Sequence, residues 1–168
     1  MKKYVLSSPV VLIFLVILQS TIFQKIDLFG AKPDLVLIVM VIFSNYFGTL
    51  KGELFGTAAG LVEDFLTLAP LGFNTFVRTV TGYFAGMTRG KIFLDPVITP
   101  VILVIFFTLF KAVVMYLLLI LFLPRNADTV FTSAFLIQLV MNILVTPFMF
   151  FLLKITKLIP EDYESRAL

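Results

Sequence analysis

The sequence predicts an all-α membrane protein. It reads as a single polytopic domain over 1–168, with about six transmembrane helices. Three observations carry this. The 168 residues are 60% hydrophobic and only 14% charged, too few to cover a soluble surface. The mean hydropathy is +1.09. The apolar runs approach the roughly 20 residues that cross a bilayer, and short connections separate them.

The apolar segments fall at Tyr4–Phe23, Pro33–Phe47, Leu54–Leu68, Phe73–Met87, Val97–Leu123 and Val130–Leu153. The first follows Met1-Lys2-Lys3, as in a signal peptide, but Leu18-Gln19-Ser20 lacks a small-x-small cleavage pattern. A retained first helix is expected. Pro96 and Pro100 bracket the entry to the fifth segment, where proline is tolerated in a first turn. Pro147 is expected to kink the sixth.

Lys2, Lys3, Lys51, Arg89, Lys91, Lys154, Lys157 and Arg166 fall on one side of the membrane. Lys25, Lys32 and Arg125 fall on the other. This asymmetry predicts that both termini are cytoplasmic and that the Pro70 turn lies outside.

The chain has no Cys and no His. That excludes thiol chemistry, disulfides, Cys/His metal sites and His-dependent triads. No phosphate-binding glycine motif follows a strand, and no loop is long enough to form a soluble domain. The net charge of +3 is spread along the membrane edges, so it does not point to nucleic acid.

The most informative stretch runs from Gly52 to Gly90. Gly52, Gly56, Gly60 and Asp64 repeat with a step of four, as do Asn74, Arg78, Gly82, Gly86 and Gly90. Such a step keeps residues near one face of a helix. Pro70-Leu71-Gly72 sits between the runs as a turn. An antiparallel hairpin is expected, with Gly60 opposite Gly82, Gly56 opposite Gly86 and Gly52 opposite Gly90. The glycines serve internal packing or present a face that docks a partner.

Asp64 and Arg78 are expected to pair across this hairpin, which lowers the cost of each in the membrane. Glu63 lies about 100° around the helix from Asp64 and is expected to point elsewhere. Lys111, near the middle of the fifth segment, needs an acceptor or a watery cavity. Glu63, Asp64, Gln138 and Asn142 are its candidates, and the last two lie one helical turn apart. An interhelical polar cluster and a substrate site both remain open.

These residues resemble a known family. Pro33-Asp34, Gly60-Leu61-Val62-Glu63-Asp64-Phe65, Pro70-Leu71-Gly72-Phe73-Asn74 and Gly82-Tyr83-Phe84-Ala85-Gly86 are similar to the rod shape-determining protein MreD family. Glu63 adds an acid that the simple Gly-x-x-x-Asp pattern does not require. The resemblance implies a fold similar to the substrate-binding membrane subunit of energy-coupling-factor transporters. It also implies a non-catalytic inner-membrane role in cell elongation and lateral peptidoglycan synthesis, with no cofactor or metal. MreC is the implied partner, and MreB, RodA and a penicillin-binding transpeptidase join through the complex, all in contact with membrane lipid. The other reading is a membrane subunit of a small-molecule, vitamin-type transporter, with Lys111, Arg78 and the acids lining a cavity.

Overall fold

The computed structural model describes residues 30–67, 70–91, 98–156 and 158–159. The first apolar segment, Pro96 and the C-terminal tail lie outside these residues. Within them the chain forms five α-helices, α1 (Leu35–Phe47), α2 (Thr49–Leu66), α3 (Phe73–Met87), α4 (Ile98–Phe122) and α5 (Ser133–Ile155). A 3-10 helix, Pro124–Thr129, joins the last two and fills the gap between the fifth and sixth apolar segments.

α1 is the centre of the bundle. It touches each of the other four helices. Val36 to Phe43 are all but inaccessible, so this helix, apolar on nearly every side, is surrounded by protein. Its 13 residues reach about 20 Å, well short of a hydrocarbon core of about 30 Å. The chain therefore enters α1 through the irregular segment Gly30–Pro33, with α4 and α5 beside it.

α1 ends at Gly48, whose φ of +91° only glycine adopts without strain. One residue thus reverses the chain, and α2 starts at Thr49 rather than Leu54. Lys51 and Glu53 hide this first turn in the hydropathy. Val36 packs on Ala59, and Gly52 lies against Ser44, as expected for antiparallel neighbours.

α2 and α3 form the expected hairpin, but in a different register. A Cβ added at Gly52 would overlap the carbonyl oxygen of Gly82 and the side chain of Ser44. At Gly56 it would overlap the Arg78 carbonyl, at Gly60 the backbone of Asn74 and Thr75, and at Gly86 the backbone of Gly48 and Thr49. Gly52 therefore faces Gly82 rather than Gly90, Gly56 faces Arg78 and Gly82 rather than Gly86, and Gly60 faces Asn74 and Thr75 rather than Gly82. Gly90 lies in the turn after α3, with open space around it. The shift arises because α2 runs on past the start of α3. Gly72, at φ +95°, starts the next helix, whose first residues lie beside Gly60.

α4 and α5 are the two described helices long and apolar enough to cross a membrane. They turn Phe106, Val113, Leu117, Val140, Leu144 and Phe148 outward. Pro100 sits in the first turn of α4 as expected, and α5 continues through Pro147 without a break. Four buried hydroxyls are satisfied on their own helices, whereas Thr99 Oγ1 is buried without a partner among the described residues. Ser44, Thr81, Thr108 and Thr146 donate to the carbonyls of Met40, Val77, Val104 and Asn142. Where no water is at hand, this removes the cost of an unpaired polar group.

Because the α2–α3 contact is backbone against backbone, added volume has to separate the helices. Gly56→Leu and Gly82→Leu are expected to lose roughly 1–3 kcal/mol or more of stability, read as a lower melting temperature in mild detergent. Unchanged melting of both variants contradicts the close approach.

Candidate buried charge network and adjoining cavity

Asp34 precedes the apolar run of α1 in the position of an N-cap. Its Oδ1 accepts from the Leu37 N–H at 2.9 Å, while its own N–H donates to Asn142 Oδ1 at 2.8 Å. The carboxylate is also the hub of the buried charges. Arg78 Nη2 donates to Oδ1 at 2.9 Å, and Lys111 Nζ donates to Oδ2 at 2.5 Å.

Arg78 uses its fork on α2 as well. Nε donates to Glu63 Oε2 at 2.8 Å and Nη2 to Glu63 Oε1 at 2.5 Å. Two parallel bonds of this kind fix geometry as well as charge. The side chains of Asp34 and Arg78 are 2% and 5% exposed, so neither is neutralised by water. Asp34, Glu63, Arg78 and Lys111 together carry no net charge. They tie α1, α2, α3 and α4 to one point. Arg78 Nη1 is buried without a hydrogen-bond partner among the described residues.

Asp64 does not pair with Arg78. Its carboxylate accepts from the N–H groups of Gly72 at 2.9 Å, Asn74 at 3.0 Å and Thr75 at 3.1 Å, and from the Thr75 hydroxyl at 2.6 Å. These are donors that the start of α3 leaves without helical partners, and an anion at a helix N-terminus is further favoured by the dipole. The expected roles of the two neighbouring acids are therefore exchanged. Asp64 holds the start of α3, which places Arg78 one turn further along, opposite Gly56, from where its long side chain reaches Glu63.

The other predicted residues fall around this frame. Pro70 and Gly72 form the turn, with the Phe73 N–H donating to the Pro70 carbonyl. The Asn74 side chain reaches Thr67 Oγ1 at 3.4 Å. Gly52, Gly56, Gly60, Gly82 and Gly86 line the hairpin contact. Lys111 meets Asp34, which was not among its four candidates. Of those, Gln138 and Asn142 do face the same way. Gln138 Nε2 donates to the Lys32 carbonyl at 3.0 Å, and Asn142 binds Asp34 and also donates to Thr108 at 3.2 Å. Both hold the segment leading into α1. The functional residue that sequence reasoning missed is Asp34. Its signal was a Pro-Asp pair before an apolar run, which reads as a helix start.

Next to Lys111 is a cavity of about 700 Å³. Thr108, Lys111, Met115 and Leu119 follow one face of α4 along it, and Lys32 and Gln138 contribute from the opposite wall. Arg78, Glu63 and Asp64 do not line it.

A model of the rod shape-determining protein MreD family matches residues 1–156. The chain belongs to the MreD family. No curated protein and no solved structure matches it. The chain is thus a membrane protein of a family that determines rod shape. The residues that carry the resemblance now have physical roles in this MreD-family chain. Gly60 and Gly82 are sites of backbone contact, Asp64 caps α3, Pro70-Leu71-Gly72 forms the turn, and Asp34 joins the charges.

The network separates two acids by one residue, which a double-mutant cycle resolves. Glu63→Gln with Arg78→Gln should couple by roughly 0.5–3 kcal/mol, and more strongly than Asp64→Asn with Arg78→Gln. Denaturation of the four single and double variants in mixed micelles measures both terms. A larger coupling for Asp64 contradicts the assignment.

Proposed function

We propose that this protein is a non-catalytic, multi-pass component of the inner membrane that binds MreC and supports lateral peptidoglycan synthesis in elongating cells. The observation that carries this reading is the family match over residues 1–156. The geometry supports it in one respect. Asp34, Glu63, Asp64, Arg78 and Lys111 are engaged with one another or with a helix end, which suits a rigid scaffold better than a moving relay. MreB, RodA and a penicillin-binding transpeptidase join through the complex.

The proposed architecture has six spans and is similar to the substrate-binding membrane subunit of energy-coupling-factor transporters. Its support is the five described helices together with the apolar segment Tyr4–Phe23. Both termini are cytoplasmic in this reading. Lys51, Arg89, Lys91 and Lys154 gather at the end of the bundle where α1, α3 and α5 finish, and Lys32 and Arg125 lie at the other. The transporter alternative has one feature in its favour, the cavity beside Lys111. Against it, Arg78, Glu63 and Asp64 do not line that cavity.

Depletion of the protein is expected to convert rods to spheres, and MreC is expected to co-purify with it in mild detergent. Normal rods after deletion, together with no recovery of MreC, contradict the proposal.

A further inference from the structure

We propose that the cavity beside Lys111 is a binding site for a small amphiphilic anion, a carboxylate or phosphate carried on a slender apolar body. The shape comes first. Thr108, Lys111, Met115 and Leu119 of its lining follow one another at helical spacing along α4, over about 16 Å, and Leu123 follows just beyond the helix. Its volume of about 700 Å³ lies within the range of small-molecule sites.

The chemistry of the wall changes along that length. Thr108 and Lys111 make one end polar, Met115 and Leu119 make the middle apolar, and Asn126 and Thr129 of the 3-10 helix supply polar groups beyond. A ligand matching this order has a charged head, an apolar body and a tail end that tolerates water. The sign of the head follows from the cations. Lys32 and Lys111 both line the cavity, and its described lining holds no carboxylate. Lys111 shares its charge with Asp34, while Lys32 has no ion pair among the described residues. An anion seated there gains a charge-assisted bond from Lys32 without competing with the buried network.

The chain has no Trp, so Leu119→Trp in the full-length protein provides one fluorophore inside the cavity. The protein is placed in nanodiscs of zwitterionic lipid and titrated with 12-bromododecanoate. Saturable quenching is expected, reversed by laurate but not by dodecanol or by acetate. Lys32→Gln in the same background should weaken it about tenfold, the loss of one charged hydrogen bond. Lys91→Gln, at the other end of α3, should leave it unchanged. Decyl phosphate displacing the probe as laurate does assigns the site to anionic head groups in general, and displacement by laurate alone restricts it to carboxylates. Quenching that does not saturate, equal displacement by dodecanol, or an unchanged response in Lys32→Gln overturns the proposal. A Leu119→Trp variant that fails to fold moves the test to native mass spectrometry of the wild type with laurate, where absence of a Lys32-dependent adduct is equally decisive. No partner protein enters the measurement, so its failure leaves the MreC reading standing.

Discussion

A guanidinium buried inside a membrane protein has to be neutralised by its neighbours, and that requirement organises this fold. Arg78 is held between Glu63 on α2 and Asp34 at the head of α1. Removing one partner of such a group typically costs about 3–5 kcal/mol, because the remaining charge stays buried. The helices that carry the partners are therefore committed to one arrangement. Lys111 completes the balance from α4 and brings a fourth helix to the same point. Arg78 in turn depends on a neighbouring interaction. Asp64 gathers the free N–H groups of α3, and this sets how far α3 slides along α2. The glycines allow the two backbones to meet in that register.

Much of this was legible in the sequence because it is local. Hydropathy located four of the described helices to within a few residues, and steps of four in glycine announced the hairpin face. The Pro70-Leu71-Gly72 turn was legible from its residue types. The register was not, because it depends on where a side chain on one helix finds the end of the next. Symmetry about Leu71 was a reasonable assumption, and the Asp64 cap breaks it. The step of four favoured Asp64 over Glu63 as the partner of Arg78, and their true roles separate only once α3 has a position.

Long-range polar contacts were the least legible. Asp34 and Lys111 are 77 residues apart, and no periodicity links them. Asp34 read as a helix start, which it is, but a helix cap gives no hint that its second oxygen faces a lysine on α4. The start of α2 was hidden for a different reason. Lys51 and Glu53 lower the local hydropathy, while Lys51 in the structure lies over the Phe47 ring at 5.2 Å. Composition correctly placed the chain in a membrane, yet it could not show that α1, rather than the equally apolar α4, would be the helix shielded by the others.

The central claim is that the α2–α3 register delivers Arg78 to Glu63. Disulfide trapping reads that register directly, since the chain has no native Cys. The hydroxyls of Thr57 and Thr79 lie 2.9 Å apart across the hairpin. Thr57→Cys combined with Thr79→Cys is expected to form an intramolecular disulfide rapidly on mild oxidation in the membrane, and Thr57→Cys combined with Ala85→Cys is expected to remain reduced. Efficient cross-linking of the second pair and not the first means that the helices align about Leu71, with Asp64 rather than Glu63 as the acid opposite Arg78.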